Sequence, residues 1–202
     1  MSIALVDYGA GNLTSVLKAF RAVGADVRLV SQVSELEGAR AIVVPGVGHF
    51  SVTASLGLDW HTTIRGALDR RIPLLGICVG LQWLFEGSSE SPGTPGLGVI
   101  KGRCFRLEGD VKVPHVGWNG LDRTTRPSRL LDEVPTGSSA YFTHSYAAPV
   151  VEETAAATTH ALPFSSVVER DLVFGAQFHP EKSGRTGLRM VENFLRVVRE
   201  AR

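Results

Sequence analysis

Residues 72–86 read IPLLGICVGLQWLFE, and this stretch decides the fold. The apolar run 72–77 ends at Cys78, which has Gly76 and Gly80 on either side, and helix-like residues follow. A nucleophile flanked by glycines between a strand and a helix is the elbow arrangement, in which the side chain stands on a sharp, strained turn. The stretch therefore predicts a buried strand, a reactive cysteine at its carboxyl end and a helix behind it.

The N-terminal half repeats this alternation of strand and helix. Apolar residues recur at helical spacing from Leu13 to Phe20, and the stretch 49–70 is helical in pattern with an interruption near Gly57. Such a rhythm predicts an α/β fold with a mostly parallel central sheet and helices on both faces. The strands expected in it are 3–6, 27–30, 41–44 and 72–77.

The second half changes character after Gly96. Short β-branched or aromatic runs are separated there by Gly, Pro and Asn, which predicts an antiparallel extension on one side of the sheet. The Ser-, Pro- and Gly-rich stretch 87–98 is expected to be a loop, and a stripe of apolar residues predicts a C-terminal helix. We expect one domain over 1–202. The expected strands of the extension are 99–105, 113–118, 140–146, 164–169 and 172–178.

Composition narrows the class of protein. The chain has 202 residues, 44% hydrophobic and 20% charged, with a net charge of +1, so a charge-driven nucleic-acid or membrane-surface role is not expected. No run of 18 apolar residues occurs, and 1–7 reads as a strand rather than a signal peptide. With two isolated cysteines, we expect a cytoplasmic protein with free thiols, no metal site and no cofactor.

The string His179-Pro180-Glu181 supplies the partners that a thiol nucleophile needs. An imidazole acts as the base, and a carboxylate two residues later can hold its tautomer and stabilise the imidazolium. The run before His179 reads as a strand, and Pro180 can end that strand and turn Glu181 back towards the ring. Cys78, His179 and Glu181 are therefore the predicted catalytic residues.

Two backbone N–H groups are expected to face a developing oxyanion. One belongs to Val79, directly after the nucleophile, and the other to Val47 in the string Pro45-Gly46-Val47-Gly48, which follows the strand 41–44. Parallel strands place their following loops at the same sheet edge, so both donors should lie near Cys78. An oxyanion formed when sulfur attacks a carbonyl means acyl transfer.

Each of these motifs also has a plain structural explanation. A cysteine at a strand end is often a small buried apolar residue, a His-Pro-Glu string is often a capped turn, and a Pro-Gly-Val-Gly string is often only a loop. All three strings follow predicted strands, and this shared placement favours the catalytic interpretation.

The sequence resembles the class I (triad) glutamine amidotransferases, and specifically the glutaminase subunits of imidazole glycerol phosphate synthase. The elbow and the His-Pro-Glu string carry the first resemblance. The second rests on further strings, so that the resemblance covers nearly the whole chain. These strings lie at 7–12, 45–48, 115–119, 141–146 and 175–184.

The resemblance implies a flavodoxin-like class I glutamine amidotransferase fold and a reaction. Cys78 would attack the side-chain amide of glutamine, release ammonia and leave a glutamyl thioester that water hydrolyses to glutamate. The residues that the resemblance assigns to glutamine binding are Gly46, Gly48, Gln82, Glu90, Ser145 and Tyr146.

The resemblance also implies a partner. It would be a cyclase subunit with a (β/α)₈ barrel fold, in a heterodimer that makes imidazole glycerol phosphate and an aminoimidazole carboxamide ribonucleotide in histidine biosynthesis. Asn12, Trp118 and Lys182 match positions near that interface. Alternatively, Asn12 caps a helix, Trp118 lies in the core and Lys182 is solvated surface.

Alternative functions share the same elbow and triad. They are a glutaminase of another biosynthetic complex, a cysteine peptidase or γ-glutamyl hydrolase, and a binding module that keeps the fold without activity. His49, next to the Pro-Gly-Val-Gly string, could be mistaken for a second base, but we expect it to be exposed or to cap a helix.

Overall fold

The computed structural model describes residues 2–201, so Met1 and Arg202, which bound the predicted domain, lie outside the described residues. Four α-helices are present in the described part: α1 (Leu13–Ala22), α2 (Leu58–Asp69), α3 (Val79–Leu84) and α4 (Gly184–Glu200). Short 3-10 helices lie at Val33–Leu36, Phe50–Ser55 and Pro180–Lys182. The strands are β1 (Ser2–Val6), β2 (Asp26–Val30), β3 (Ala41–Val44), β4 (Leu74–Ile77), β5 (Gly87–Ser88), β6 (Ser91–Pro95), β7 (Arg103–Arg106), β8 (His115–Arg123), β9 (Ser138–His144), β10 (Tyr146–Ala147), β11 (Thr154–His160), β12 (Leu162–Arg170) and β13 (Val173–Ala176).

A nine-stranded sheet runs through the molecule in the order β2-β1-β3-β4-β13-β12-β11-β8-β9. The strands from β2 to β13 pair in parallel, and those from β13 to β9 pair in antiparallel. The parallel part with its helices and the antiparallel extension confirm the predicted fold class. The predicted interruption near Gly57 is also present, because Phe50–Ser55 is a 3-10 helix and α2 begins at Leu58.

Several predicted element boundaries were wrong. The expected loop 87–98 contains β5 and β6, which join β7 and β10 in a second, four-stranded sheet. The Gly, Ser and Pro residues of this stretch favour a loop, and it has no alternation of apolar and polar residues. Its two short strands form through backbone pairing instead. The expected strand 99–105 is reduced to β7, and β11 was missed because its sequence, TAAATTH, has few large apolar residues.

The strand predicted at 172–178 has two kinds of neighbour. β13 pairs in antiparallel with β12, as expected, but in parallel with β4. This strand is therefore the seam between the two parts of the sheet. Its register sets Ala176 beside Ile77, and the N–H of Cys78 donates to the Ala176 carbonyl at 2.7 Å. The elbow and the residues that follow β13 consequently meet at the same edge.

The helix behind the elbow is buried on every side. All six residues of α3 are buried, and Leu81, Trp83 and Leu84 are completely inaccessible to solvent. A short helix is stabilised mainly by such tertiary packing rather than by helix propensity. Within residues 2–201, no helix combines the length and apolar character needed to cross a membrane.

Candidate active site

Cys78 occupies a strained turn between β4 and α3. Its backbone has φ 54° and ψ −108°, a sparsely populated positive-φ conformation that costs of order 1–3 kcal/mol for a non-glycine residue. The turn is tight because Gly80 packs on β3, where an added Cβ would lie 1.9 Å from the Val44 carbonyl oxygen. The surrounding packing therefore holds the cysteine in a conformation that it would not adopt alone.

His179 and Glu181 form the expected pair. His179 Nδ1 lies 2.8 Å from Glu181 Oε1, and each side chain is only 2% exposed. Pro180 begins the 3-10 helix Pro180–Lys182, which turns the carboxylate back towards the ring. The His179 backbone is held in place as well, since its N–H donates to the Tyr141 carbonyl and its own carbonyl accepts from the Ser183 hydroxyl.

The charge state of His179 depends on Cys78. Burial by itself lowers the pKa of His179, but the Cys78 thiolate and then Glu181 outweigh burial and raise it to about 10. His179 Nε2 is buried and makes no hydrogen bond of good geometry within residues 2–201. The imidazolium thus keeps one N–H near the sulfur that can be given to a reacting group.

A cleft of about 260 Å³ opens in front of the sulfur. Five of the six residues predicted to bind glutamine line it, and Gly46 does not. The lining residues are Gly48, Cys78, Val79, Gln82, Glu90, Pro114, Thr143, His144, Ser145 and Tyr146.

Gly46 lies behind the cleft, in the loop 45–48. A Cβ at Gly46 would come within 2.5 Å of the Tyr8 hydroxyl and 2.8 Å of the Val79 Cβ, so only glycine lets this loop approach the elbow so closely. The Tyr8 hydroxyl donates to the Pro45 carbonyl at 2.7 Å. Burial and the charge of Cys78 raise the pKa of Tyr8, which keeps that donor protonated. Val47 is 37% exposed at the tip of the loop.

Glu90 and His49 both organise the segment after this loop. Glu90 Oε2 accepts a hydrogen bond from the Phe50 N–H at 2.7 Å, which leaves its other oxygen for the cleft. His49 is exposed, and its Nδ1 accepts from the Ser51 N–H at 3.1 Å at the start of Phe50–Ser55. The expectation that His49 is an exposed cap is confirmed.

The three residues predicted at a partner interface differ in their contacts. Asn12 is exposed and caps α1, with Oδ1 accepting from the Ser15 N–H at 3.3 Å. Trp118 is 58% exposed, which excludes the alternative of a core residue. Trp118 and Lys182 both contact the Tyr141 ring: the indole packs edge-on to it, and the Lys182 Nζ is 5.8 Å from its centroid.

Three histidines form a group beside the cleft, and sequence reasoning did not predict that they lie together. His144 lines the cleft, and its Nε2 lies 3.1 Å from His115 Nδ1, while the His115 ring stacks on His160 at 4.1 Å. Burial lowers the pKa of His144 to about 3, and burial together with the charge of His160 lowers that of His115 to about 4. The strings 115–119 and 141–146 could have indicated this group. The first begins β8 and the second contains the end of β9, and these two strands pair with His115 opposite His144.

Metal-binding geometry is not found in the described part of the chain. No group of three or more His, Cys, Asp or Glu side chains there is arranged to hold an ion. Cys78 and Cys104 are both free thiols.

Comparisons with known proteins agree with this architecture. A family model described as glutamine amidotransferase class-I matches residues 4–198. Solved structures of similar fold include one titled as a glutamine amidotransferase, with a TM-score of 0.74, 19% identity and coverage of 96% of this chain and 98% of that one. Another is PurLQS from Thermotoga maritima, with a TM-score of 0.76, 16% identity and coverage of 96% and 97%.

Closer relatives are found by sequence. The chain is 46% identical to the imidazole glycerol phosphate synthase subunit HisH of Thermococcus kodakarensis, over 96% of this chain and 100% of the relative. It is 43% identical to the HisH subunit of Moorella thermoacetica, over 98% and 96%. Similarity at this level along nearly the full length is shared by members of one family. The chain therefore belongs to the class-I glutamine amidotransferases and, among them, to the HisH subunits of imidazole glycerol phosphate synthase.

Proposed function

We propose that this protein hydrolyses glutamine to glutamate and ammonia and supplies the ammonia to a cyclase subunit in histidine biosynthesis. The observation that carries the proposal is the strained Cys78 in the cleft lining, beside the buried pair of His179 and Glu181. One amidotransferase domain, spanning 1–202, would perform the reaction without a cofactor.

In the first half of the reaction the sulfur is the nucleophile. The Cys78 thiolate attacks the amide carbon of glutamine, a C–S bond forms and the carbonyl π electrons move to oxygen. When this intermediate collapses, the C–N bond breaks, and the imidazolium of His179 gives its Nε2 proton to the leaving nitrogen. The raised pKa of His179 supports this role, because it keeps the ring charged at neutral pH while the thiolate is present.

In the second half His179 changes from acid to base. Once sulfur is bound in a neutral thioester, the main influence that raises the pKa of His179 is gone, while burial still lowers it. The ring can then accept a proton from water as the water attacks the thioester. The C–S bond breaks, glutamate leaves and the thiolate re-forms. Glu181 holds Nδ1 throughout.

Two backbone donors are proposed to stabilise the oxyanion. As the first residue of α3, Val79 has an N–H with no acceptor one turn earlier in its own helix, and it lines the cleft. The second is the N–H of Val47, in the loop that Gly46 seats against Val79. One such donor typically lowers the barrier by about 2.7–4 kcal/mol.

The free amino acid end of glutamine is proposed to bind deeper in the cleft. Glu90 offers a carboxylate oxygen to the ammonium group, and Gln82 has a buried Oε1 without a hydrogen bond in the described chain. Ser145, Tyr146 and the backbone at Gly48 complete the polar lining. Gly46 contributes by seating the loop rather than by touching substrate.

The proposed partner is a cyclase subunit with a (β/α)₈ barrel, bound as a heterodimer. The exposed indole of Trp118 and the charged end of Lys182 both contact Tyr141, which supports an interface there. Helix α1, which Asn12 caps, contacts the 3-10 helix that contains Lys182, so Asn12 belongs to the same region. Ammonia would pass through the barrel to the ribonucleotide intermediate. A cytoplasmic location is proposed from the family and the two free thiols.

Glutamate release from glutamine tests the proposal. We expect slow turnover by the isolated chain and strong activation by a cyclase subunit of imidazole glycerol phosphate synthase with its nucleotide ligand. Cys78→Ser should abolish turnover. Cys104→Ala is the matched control, since that thiol is buried, does not line the cleft and donates to a backbone carbonyl, that of Gln82, and it should leave turnover near wild type.

Other outcomes point to the alternatives. Fast turnover without a partner, or cleavage of peptides or γ-glutamyl peptides, would indicate a free-standing hydrolase. Wild-type turnover by Cys78→Ser would refute the assignment of the nucleophile.

A further inference from the structure

Cys78 has a second neighbour with a polar N–H. Gln177 is completely buried, and its Nε2 lies 3.7 Å from Cys78 Sγ, within the range of an N–H···S hydrogen bond. The backbone of Gln177 is fixed too, because its N–H donates to the Ser166 carbonyl at 2.9 Å. The amide is therefore held against the sulfur from the side of β13.

The direction in which this amide faces follows from its neighbours. Gln82 Nε2 lies 2.8 Å from the Tyr146 carbonyl oxygen, which can only accept, so Gln82 must present its NH₂ group there. The same NH₂ group lies 3.2 Å from Gln177 Oε1. Gln177 must then turn its oxygen to Gln82 and its NH₂ group to sulfur.

We infer that Gln177 is a further catalytic residue, which donates a side-chain hydrogen bond to the Cys78 thiolate, and that Gln82 is the positioning residue that fixes the direction of this donor. The inference deepens the proposed function and rests on Cys78 being its nucleophile. A buried amide donor stabilises the anion without adding a titrating group to the site.

This hydrogen bond affects the thiolate and the transition state to different extents. It is strongest with the anion and weakens as sulfur passes its charge to the substrate carbonyl oxygen. Gln177 thus increases the fraction of thiolate but reduces the nucleophilicity of each thiolate. Nucleophilicity decreases as the thiol becomes more acidic, with a Brønsted coefficient of about 0.4–0.5. Its net effect is positive at a pH where the thiol is mostly protonated and negative where it is fully ionised.

Alkylation of Cys78 by iodoacetamide across a pH range tests the inference without using glutamine. The experiment uses the full chain with Cys104→Ala, so that one thiol reports. For Gln177→Met, which keeps the side-chain length and removes the donor, we expect the pH midpoint of alkylation to rise by about one unit. Alkylation should become about threefold slower below the midpoint and about threefold faster at the alkaline plateau.

Further variants separate this effect from a loss of stability. Gln177→Glu sets a carboxylate beside the sulfur and should raise the midpoint more than Gln177→Met does. Gln82→Met should raise it by less, because the Gln177 amide is then free to rotate. Asn193→Leu is the control for a lost buried amide, since Asn193 donates to the Leu130 and Asp132 carbonyls in another part of the fold, and it should leave the midpoint unchanged.

We expect the pH profile of alkylation for Gln177→Met to cross the profile of the chain that keeps Gln177. A purely structural role of Gln177 would not produce such a crossing. Unchanged midpoints in folded Gln177→Met and Gln177→Glu would overturn the inference. Because alkylation needs no substrate or partner, a failure of glutamine hydrolysis would refute the proposed function while leaving this measurement readable.

Discussion

Replacing Gly80 by alanine sets two physical effects against each other. Gly80 is a helical residue in α3, and alanine is favoured over glycine in a helix by about 0.8–1.0 kcal/mol. Helix propensity alone therefore predicts that Gly80→Ala stabilises the protein. The packing of α3 on β3 predicts the opposite.

The size of the clash decides the outcome. The new Cβ would lie 1.9 Å from the Val44 carbonyl oxygen, whereas real Cβ contacts below 3.0 Å are essentially never seen. The obstacle is backbone of a buried strand, so α3 itself has to move by about 1 Å. Overpacking of this kind costs typically 1–3 kcal/mol. Taking the upper end and subtracting the propensity gain, we expect a net loss of about 2 kcal/mol in the free energy of unfolding.

The same movement should damage catalysis more than stability. It displaces Cys78 and the Val79 N–H together, and a misplacement of about 1 Å can cost roughly 10²-fold in rate. Thermal unfolding and glutamate release by the complex measure the two effects. With a loss of about 2 kcal/mol, the midpoint of thermal unfolding of Gly80→Ala should fall by about 4–8 °C for a chain of this size.

Gly66→Ala is the matched control. Gly66 is also helical, in α2, and a Cβ there would meet only the flexible end of Arg70 at 3.5 Å. We expect this variant to gain about 0.5–1 kcal/mol and to keep full activity. If Gly80→Ala were as stable as Gly66→Ala and fully active, the argument that close packing of α3 on β3 holds the elbow would be refuted.

Three further changes test other parts of the site. Glu181→Gln should lower the pKa of His179, because the negative charge is lost and an amide oxygen is a weaker acceptor than a carboxylate, and should reduce turnover by about 10²- to 10⁴-fold; an unchanged pH–rate profile would contradict the role of this pair. Tyr8→Phe should lower the free energy of unfolding in urea by about 1–3 kcal/mol, since the Pro45 carbonyl loses its donor. Equal stability would show that this hydrogen bond does not stabilise the fold. His144 has a pKa lowered from 6.5 to about 3, so between these values the unfolded chain takes up a proton there and the native chain does not. The free energy of unfolding should therefore fall as the pH drops below about 6.5. His144→Asn, which keeps a donor for the backbone, should make the free energy of unfolding in urea less dependent on pH. An unchanged dependence on pH would contradict this role of His144.

Local chemistry accounts for what could be predicted around the elbow. Glycines on both sides of Cys78, an apolar run before it and a helical pattern after it describe a strand, a tight turn and a helix without knowledge of any distant residue. Pro180 likewise begins the 3-10 helix that turns Glu181 back, since its fixed φ suits the first position of a helix. These signals lie within a few residues of each other along the chain.

Other elements depended on partners far away in sequence. β5 and β6 form in a Gly- and Pro-rich stretch because β7 and β10 provide backbone partners, and β11 is held between β12 and β8 although it is rich in Ala and Thr. Propensity is a weak guide to such strands, because pairing and burial decide them.

The sequence by itself was enough to predict Cys78, His179 and Glu181 as nucleophile, base and orienting carboxylate, because each stands in a short string with strong local turn signals. Only the tertiary structure decided what surrounds them. It brings Gln177 to the sulfur through the register of β13 with β4, sets Tyr8 against Pro45, and lines the cleft with His144. These contacts join residues distant along the chain, and pairing of the strands is the physical step that brings them together.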